Sequence, residues 1–231
     1  MKEELIRPKT ENDIIELMKR VRENNYKDNN ELRIFHHMER YELVAENIDE
    51  NKKNNIIDIG CGLGVGLDYI HSFIGYDNNY YYGMDIDENA VKEMTQKFNY
   101  INPVCGNIRD WNSSNKFDIL IYFEVLGNES MENDEEALNN IKNMCNSNGK
   151  IFISIPNYRD YEPKAYFDRI YDPNTFSETI NKIFKNDNFN KKFLVQKHPF
   201  NREDLSEKGI CEGDLSESDF MICIIEKKEM K

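Results

Sequence analysis

The stretch from Ile56 to Gly66 reads IIDIGCGLGVG, and this stretch decides the fold of the chain. It begins with several isoleucines, whose β-branched side chains favour a strand. Glycines then follow at every second position, namely Gly60, Gly62, Gly64 and Gly66. Glycine allows backbone turns that other residues avoid, and it lets a ligand approach the main chain. Because open α/β sheets hold nucleotide-like cofactors where a strand meets a glycine turn and a helix, the stretch predicts such a site.

The spacing of the glycines separates two classes of cofactor. The dinucleotide fingerprint GxGxxG needs a third glycine three residues after the second, but Val65 or Leu67 stands there. The pattern D-x-G-x-G-x-G, which begins at Asp58, does fit. It resembles motif I of the class I S-adenosylmethionine-dependent methyltransferases, in which the loop wraps the methionine part of the cofactor. A glycine-rich turn without a ligand is the alternative.

This resemblance implies an α/β, Rossmann-like class I methyltransferase fold. Such a fold has a mostly parallel seven-stranded sheet with a C-terminal antiparallel hairpin and helices on both faces. Strand-like and helix-like segments alternate along the chain, which agrees with that architecture. After the strand at Ile56, strands are predicted at residues 81–86, 101–105, 117–125, 150–156, 189–196 and 219–227. The pair Asn148-Gly149 is expected to end the helix that precedes the strand at 150.

The chain is expected to form a single domain with an extension. Residues 1–50 are the N-terminal helical extension, and residues 51–231 are the S-adenosylmethionine-binding methyltransferase domain. Apolar residues recur at helical spacing in the second half of the extension, at Leu32, Phe35, Met38, Tyr41, Ala45 and Ile48.

His37 and Arg40 lie three residues apart and therefore share one face of this predicted helix. A subset of small-molecule and glycan-associated methyltransferases has a similar H-x-x-R-Y segment just before motif I. By that resemblance Arg40 contacts the cofactor carboxylate, which a guanidinium binds through two hydrogen bonds. An ordinary surface arginine is an equally good interpretation.

Asp85 ends the second predicted strand, where ligands of such sheets bind. An acid at about this distance past the glycine loop is placed to accept hydrogen bonds from the ribose hydroxyls. Asp87 is the other candidate, but we prefer Asp87 as the N-cap of the helix at residues 88–98. The family resemblance supports this assignment and implies that Ile86 packs against adenine.

The resemblance also implies further cofactor contacts. Asn107 is expected to bond adenine through its side chain and Ile108 through its backbone N–H, while Phe123 and Glu124 face the methionine end. Gly127 and Asn128 stand where relatives have Glu and His, which removes any acid–base role of that His. The glycine loop contributes Asp58, Gly60, Cys61, Gly62 and Gly64.

The cofactor, S-adenosylmethionine with S-adenosylhomocysteine as product, sets the chemistry. Its sulfonium makes the methyl group electrophilic, so the protein mainly has to align the nucleophile, the methyl carbon and the sulfur. A general base is needed only for an acceptor that does not lose its proton unaided. The catalytic residues therefore stay unknown; His37 and His198 are weak candidates, and a structural role is the alternative for each.

The acceptor is expected to be a small molecule or sugar that is methylated on oxygen (or nitrogen). Residues 155–173 are dense in Tyr and Phe and follow a predicted strand, so they could form a wall for an organic acceptor or simply pack. Residues 198–218 are acidic and suggest an exposed loop.

Composition excludes several other classes. The net charge of −13 over 231 residues, without any Lys/Arg cluster, makes a nucleic-acid partner unlikely. The five cysteines contain no CxxC pair, so neither a metal site nor a disulfide framework is expected. No apolar run suggests a signal peptide or a membrane segment, and we expect a cytoplasmic protein.

Rival functions remain open at this point. Adenine-N6 methyltransferases have N/D-P-P-Y/F where this chain has Tyr122-Phe123-Glu124-Val125, and cytosine-C5 enzymes need a Pro-Cys pair that is missing here. An RNA or protein methyltransferase is thus the less favoured alternative. A catalytically inactive partner subunit that binds S-adenosylmethionine is the other.

Overall fold

The computed structural model describes residues 29–74, 79–111, 114–127, 131–157, 171–185, 188–197 and 209–229, without the side chains of residues 29–36 and 131–133. Helices and strands alternate through most of these residues. They follow in the order α1 (Asn29–Ala45), β1 (Asn55–Ile59), α2 (Val65–Ile74), β2 (Tyr80–Asp85), α3 (Glu88–Lys97), β3 (Ile101–Cys105), β4 (Phe117–Phe123), α4 (Met131–Met144), β5 (Cys145–Pro156), α5 (Pro173–Ile183), β6 (Phe189–Gln196), β7 (Ile210–Cys211), a 3-10 turn (Leu215–Glu217) and β8 (Phe220–Lys227).

The strands form one sheet in the order β3-β2-β1-β4-β5-β8-β6-β7. The first five strands are parallel, and β8 runs antiparallel to both β5 and β6. The chain moves outward from β1 through β2 to β3 and then returns to place β4 on the other side of β1. Ligands bind at such a topological switch point, beyond the carboxyl ends of the strands. The predicted parallel sheet with an antiparallel C-terminal pair is confirmed.

The number of strands differs from the prediction. The described residues contain eight strands and not seven, because Ile210 and Cys211 pair with Gln196 and Val195 at the edge of the sheet. A strand of two residues has no detectable alternation of apolar and polar side chains, so the sequence does not signal it.

The pair Asn148-Gly149 does not end a helix, contrary to the prediction. Helix α4 ends at Met144, and Asn148 lies within β5 with a φ of 63°. The register between β4 and β5 shifts here, since Phe117 pairs with Cys145 but Ile119 pairs with Lys150. Asn and Gly suit a left-handed helix end and a strand bulge equally, so local sequence does not separate the two.

Helices cover both faces of the sheet, as predicted. Neighbouring residues of β1 point to opposite faces, so Ile56 packs with helices α1, α2 and α3, whereas Ile57 packs with α4 and α5. Strand β4 is apolar on both sides, from Phe117 to Phe123, because it lies at the centre of the sheet.

Tyr41 attaches helix α1 to the sheet. Its hydroxyl donates a hydrogen bond to Asp58 Oδ2 at 2.9 Å, and both side chains are buried. Its ring lies directly on helix α2 at Gly66, where an added Cβ would come within 2.0 Å of Tyr41 Cζ. The last glycine of the motif therefore makes room for an aromatic ring of the protein itself.

Gly66→Ala should destabilise the protein although alanine favours helix over glycine by up to about 1 kcal/mol. The methyl group would displace the Tyr41 ring, and overpacking of this kind costs about 1–3 kcal/mol. Chemical denaturation measures the difference. Gln96→Ala, at an exposed position of α3, is the control and should change the unfolding free energy by less than about 0.5 kcal/mol. A Gly66→Ala variant as stable as the parent protein would contradict the tight contact.

The Asp58 carboxyl group has an unusual environment. Burial raises its pKa from 3.8 to about 7; the Tyr41 hydrogen bond lowers it, and the negative charge of Asp85 raises it further. The folded protein therefore holds a proton on Asp58 at pH values where the unfolded chain releases it.

The stability of the protein should depend on pH through Asp58. Because the folded pKa lies above the unfolded one, the unfolding free energy falls as pH rises from about 4 to about 7. Asp58→Asn keeps an oxygen for the Tyr41 hydroxyl but cannot titrate. Between these pH values the parent protein should lose up to about 4 kcal/mol relative to Asp58→Asn, since one pKa unit is about 1.4 kcal/mol. Denaturant titrations of both proteins across this range measure the loss, and parallel pH profiles would rule out the raised pKa.

Candidate functional site

The glycine loop lies at the carboxyl end of β1, beside the ends of β2 and β4. The backbone N–H groups of Gly60 and Cys61 both donate to Met84 O, at 2.8 and 3.0 Å, which fixes the loop to β2. Gly60, Gly62 and Gly64 all have left-handed φ angles, of 79°, 53° and 74°. Residues with a Cβ rarely adopt this conformation, so the loop requires glycine at these three positions.

The three loop glycines meet different surroundings. A Cβ at Gly60 would lie 2.3 Å from Val125 Cγ2, and one at Gly64 would lie 2.7 Å from Met94 Cγ. Those two positions have no room for a side chain, because the side chains of Val125 and Met94 occupy the space. A Cβ at Gly62 would meet no atom within 4 Å, so Gly62 is the position where the loop backbone faces open space.

Asp85 connects the loop to the end of β2. Its Oδ2 accepts a hydrogen bond from Gly62 N at 2.8 Å, and its Oδ1 accepts one from Asp87 N at 3.0 Å. Each carboxylate oxygen can accept a second hydrogen bond. Asp87 caps helix α3 by accepting a hydrogen bond from Asn89 N at 2.9 Å, so the predicted N-cap is confirmed.

Apolar and polar groups continue around the same edge of the sheet. Ile86 is 70% exposed, so a large aliphatic side chain is accessible next to the end of β2. Asn107 follows β3, and its Oδ1 accepts a hydrogen bond from Arg109 N at 3.0 Å. The side chain of Ile108 is buried in the core. Cys61 is also buried, and burial raises the pKa of its thiol, so Cys61 stays protonated and is no nucleophile.

Arg40 lies inside the protein, only 1% exposed, and the surface-arginine interpretation is therefore wrong. Its Nη1 donates to Gln196 Oε1 at 3.1 Å, and its Nη2 donates to Glu124 Oε1 and contacts His37 Nδ1 at 2.6 Å. The guanidinium carbon lies 4.3 Å from the centre of the Phe220 ring. We call Arg40, His37, Glu124 and Gln196 the Arg40 cluster.

Glu124 has a strained backbone. Its φ of 59° is left-handed, which is uncommon for a residue with a side chain, and it follows directly after β4. Such strain concentrates at functional sites, where surrounding contacts hold it. Here the Glu124 N–H donates to Ser154 O at 2.9 Å, and the carboxylate binds Arg40. The side chain is 30% exposed, so part of it remains accessible.

The remaining predicted residues are placed less favourably for contact with a ligand. Phe123 is buried and packs edge-on against Tyr41, with ring centres 5.3 Å apart. Gly127 N donates to Asp134 Oδ1 at 3.2 Å, and Tyr171 donates to the other oxygen of Asp134. Tyr171 is fully buried and thus has a packing role. His198, Asn128 and most of the aromatic segment at 155–173 lie outside the described residues.

Sequence reasoning missed one buried residue of this region and one buried hydrogen bond. Gln196, at the end of β6, accepts from Arg40 and donates to Glu39 Oε2 at 3.0 Å. No local pattern distinguishes it from an exposed strand end. Tyr41 was present in the H-x-x-R-Y segment and at helical spacing, so its burial was detectable, but its bond to Asp58 was not.

The described residues show neither a metal-binding cluster nor a membrane-spanning helix. They contain no group of three or more His, Cys, Asp or Glu side chains arranged to hold a metal ion. None of the helices in the described ranges is both long and apolar enough to cross a membrane.

Comparisons with solved structures agree on the fold. The chain is similar to the plantazolicin methyltransferase BpumL in complex with SAH, with a TM-score of 0.65, 19% identity, and coverage of 94% of this chain and 98% of the other. It is similar to the N-methyltransferase NodS from Bradyrhizobium japonicum WM9, with a TM-score of 0.59, 15% identity and coverage of 84% and 97%. An S-adenosylmethionine-dependent methyltransferase from Clostridium acetobutylicum ATCC 824 gives a TM-score of 0.61, 14% identity and coverage of 83% and 92%.

Sequence comparison identifies the family. A search of curated proteins found no significant match. A family model described as "Methyltransferase domain" matches residues 32–193, which is more than half of the chain and includes the glycine loop and the Arg40–Glu124 pair. The chain therefore belongs to the methyltransferase-domain family, and it is an S-adenosylmethionine-dependent methyltransferase with the class I fold, as its glycine loop predicted.

Proposed function

We propose that the cofactor lies along the carboxyl edge of β1, β2 and β4 and that the enzyme methylates an oxygen or nitrogen atom of a small molecule or sugar. The observation that carries this proposal is the pairing of Gly62 with Asp85. The loop backbone is open at Gly62, and the Asp85 carboxylate beside it has acceptor capacity left for two hydroxyl groups.

The adenosine part of the cofactor would lie at the ends of β2 and β3. Asp85 would accept hydrogen bonds from the ribose hydroxyls, and the exposed Ile86 side chain would cover one face of adenine. The Ile108 backbone N–H and the Asn107 side chain would lie at the adenine edge. The buried carboxyl of Asp58 and the small residues Gly60 and Gly64 would support the loop from beneath rather than touch the cofactor.

The methionine part of the cofactor would lie between the loop and the Arg40 cluster. Arg40 Nε is buried and has no hydrogen-bond partner among the described residues, which fits an anionic group such as a carboxylate. The cofactor supplies an electrophilic methyl group when bound. The protein contributes alignment, since Glu124 at the end of β4 and His37 on α1 border the space in front of that group.

An organic acceptor is supported by charge and by the neighbours. The net charge of −13 opposes a polyanionic partner. The neighbour BpumL was crystallised with desmethyl plantazolicin analogues, and NodS is named an N-methyltransferase. Both suggest an organic acceptor of modest size for this chain, and NodS adds nitrogen to the atoms to be tested.

We infer a helical extension at residues 1–50 and a methyltransferase domain at 51–231, although Tyr41 and Val44 of α1 already belong to the core. We infer a cytoplasmic protein from its five cysteines, which form no disulfide.

Isothermal calorimetry with S-adenosylmethionine, S-adenosylhomocysteine and NAD tests the cofactor. Binding of the two sulfur compounds without binding of NAD supports the proposal, and the reverse result would reject it. A panel of amines, phenols and sugars with labelled S-adenosylmethionine then tests the acceptor. Cofactor binding without transfer to any class of the panel would contradict the acceptor proposal and favour the partner-subunit alternative.

Asp85→Ala should weaken S-adenosylmethionine binding by at least about 1.5–3 kcal/mol, the value of a hydrogen bond to a charged group. Asp87→Ala is the matched control, because Asp87 caps helix α3 and is exposed. The control should lose about 0.5–2 kcal/mol of folding stability but keep its affinity. Calorimetry and denaturation of both variants separate the two effects. Equal loss of affinity in both variants would leave the ribose role of Asp85 unsupported.

A further inference from the structure

The side chains of His37 and Glu124 both contact the same atom of Arg40, the nitrogen Nη2. Arg40 Nη2 lies 2.6 Å from His37 Nδ1 and also binds Glu124 Oε1. His37 Nδ1 and Glu124 Oε1 are themselves 3.0 Å apart. The three atoms thus form a triangle. Which of them carry hydrogens determines which ring nitrogen of His37 is protonated.

The chemistry of arginine determines where the proton of His37 lies. Its guanidinium has only N–H donors, no acceptor, and stays protonated in proteins. Nη2 carries two hydrogens, so one serves Glu124 Oε1 and the other serves His37 Nδ1. His37 Nδ1 must then accept, and the single N–H of the neutral ring is assigned to Nε2. The contact between His37 Nδ1 and Glu124 Oε1 joins two acceptors that share one donor.

The opposite tautomer fits the site poorly. If His37 Nδ1 carried the proton and donated it to Glu124, that N–H would lie against the N–H groups of Arg40 Nη2 at 2.6 Å. Arg40 has little freedom to withdraw. It is buried, bound to Gln196 through Nη1, and packed on the Phe220 ring.

The imidazole has a second nitrogen that points away from this triangle. Nδ1 is directed at Arg40, and Nε2 lies on the other side of the ring. The His37 side chain is 36% exposed and stands next to Glu124, at the edge where the proposed function places methyl transfer. An Nε2–H group at this place can donate a hydrogen bond to a ligand but cannot take up a proton from it.

We propose that Arg40 holds His37 as the neutral Nε2–H tautomer, so that His37 donates a hydrogen bond to the methyl acceptor instead of removing its proton. This inference rests on the proposed function for the position of the acceptor. It replaces the general-base hypothesis for His37. It also specifies the acceptor further: a lone-pair atom, such as a carbonyl, carboxylate or ether oxygen, lies beside the atom that is methylated.

Nitrogen-15 NMR of the full chain tests the tautomer directly. Long-range ¹⁵N–¹H correlation spectra at about pH 8, where imidazole is ordinarily neutral, distinguish a protonated from an unprotonated ring nitrogen. The chain has four histidines, so the spectrum of His37→Gln identifies the His37 signals by their loss. We expect Nε2 to be protonated and Nδ1 to be bare. A protonated Nδ1 with a bare Nε2 would overturn the proposal.

Two variants test the cause of the tautomer. Arg40→Met removes the donor and frees His37 Nδ1 to donate to Glu124, so the population of the Nδ1–H tautomer should rise. Glu124→Gln keeps Arg40 and should leave the Nε2–H tautomer in place. The reverse pattern would show that Glu124 and not Arg40 sets the tautomer. The spectrum of the parent protein decides the main point even if Arg40→Met fails to fold.

Kinetics test the role of the Nε2–H group with an acceptor found in the panel. Glutamine can place an amide N–H near the position of Nε2, whereas leucine cannot. As a donor, His37→Gln should lose less than about tenfold in kcat/KM and His37→Leu clearly more. A general base would give about the same loss in both, on the order of 10²- to 10⁴-fold. The NMR result needs neither cofactor nor acceptor, so its failure is distinguishable from failure of S-adenosylmethionine to bind.

Discussion

The burial of a permanently charged arginine is the constraint on which much of the site depends. Removing Arg40 from water costs free energy unless its N–H groups find acceptors, and a buried charge that loses its partner destabilises a protein strongly. The acceptors come from three separate elements: α1 itself, the end of β4 and the end of β6. One side chain thereby fixes helix α1 against both the parallel and the antiparallel parts of the sheet. It also holds the strained Glu124 at the carboxyl edge.

Residues of the same type have different roles in this enzyme because their surroundings differ, as two aspartates and four glycines show. Asp58 lies in β1 and Asp85 ends the adjacent strand β2, yet Asp58 is buried under the Tyr41 hydroxyl while Asp85 is half-buried and bound to the open loop. Burial raises the pKa of Asp58 and makes it a structural group. Asp85 stays partly accessible, which is why the proposed function gives it the ribose hydroxyls. The glycines follow the same logic, since Gly60, Gly64 and Gly66 accommodate neighbouring side chains and Gly62 alone among these four faces open space.

The histidine illustrates how tertiary contacts change a functional interpretation. A histidine considered alone is an ordinary candidate for a general base, because histidine is the side chain most often used for acid–base chemistry near neutral pH. Arg40 next to His37 supplies a donor that cannot be withdrawn, and a nitrogen that must accept cannot also carry the proton. Arg40 can only donate a hydrogen bond in this contact, and it therefore determines the chemistry that is open to His37. Alignment of the acceptor, rather than proton removal, then becomes the contribution of this face of the site.

The sequence by itself determined the features that depend only on residues close together along the chain. Motif I at Asp58, the buried strand predicted at residues 117–125 and the N-cap at Asp87 rest on backbone preferences and on periodicity within a few residues. The structure has all three, with the strand ending two residues earlier, at Phe123. Only the tertiary structure decided the strand pairing of Ile210, the bulge at Asn148, and the burial of Arg40 with Gln196. The last pair is separated by 156 positions along the chain. Contacts of that range have no local signature. A buried charge needs acceptors because its removal from water costs free energy, and that cost arises only once the sheet has enclosed the charge.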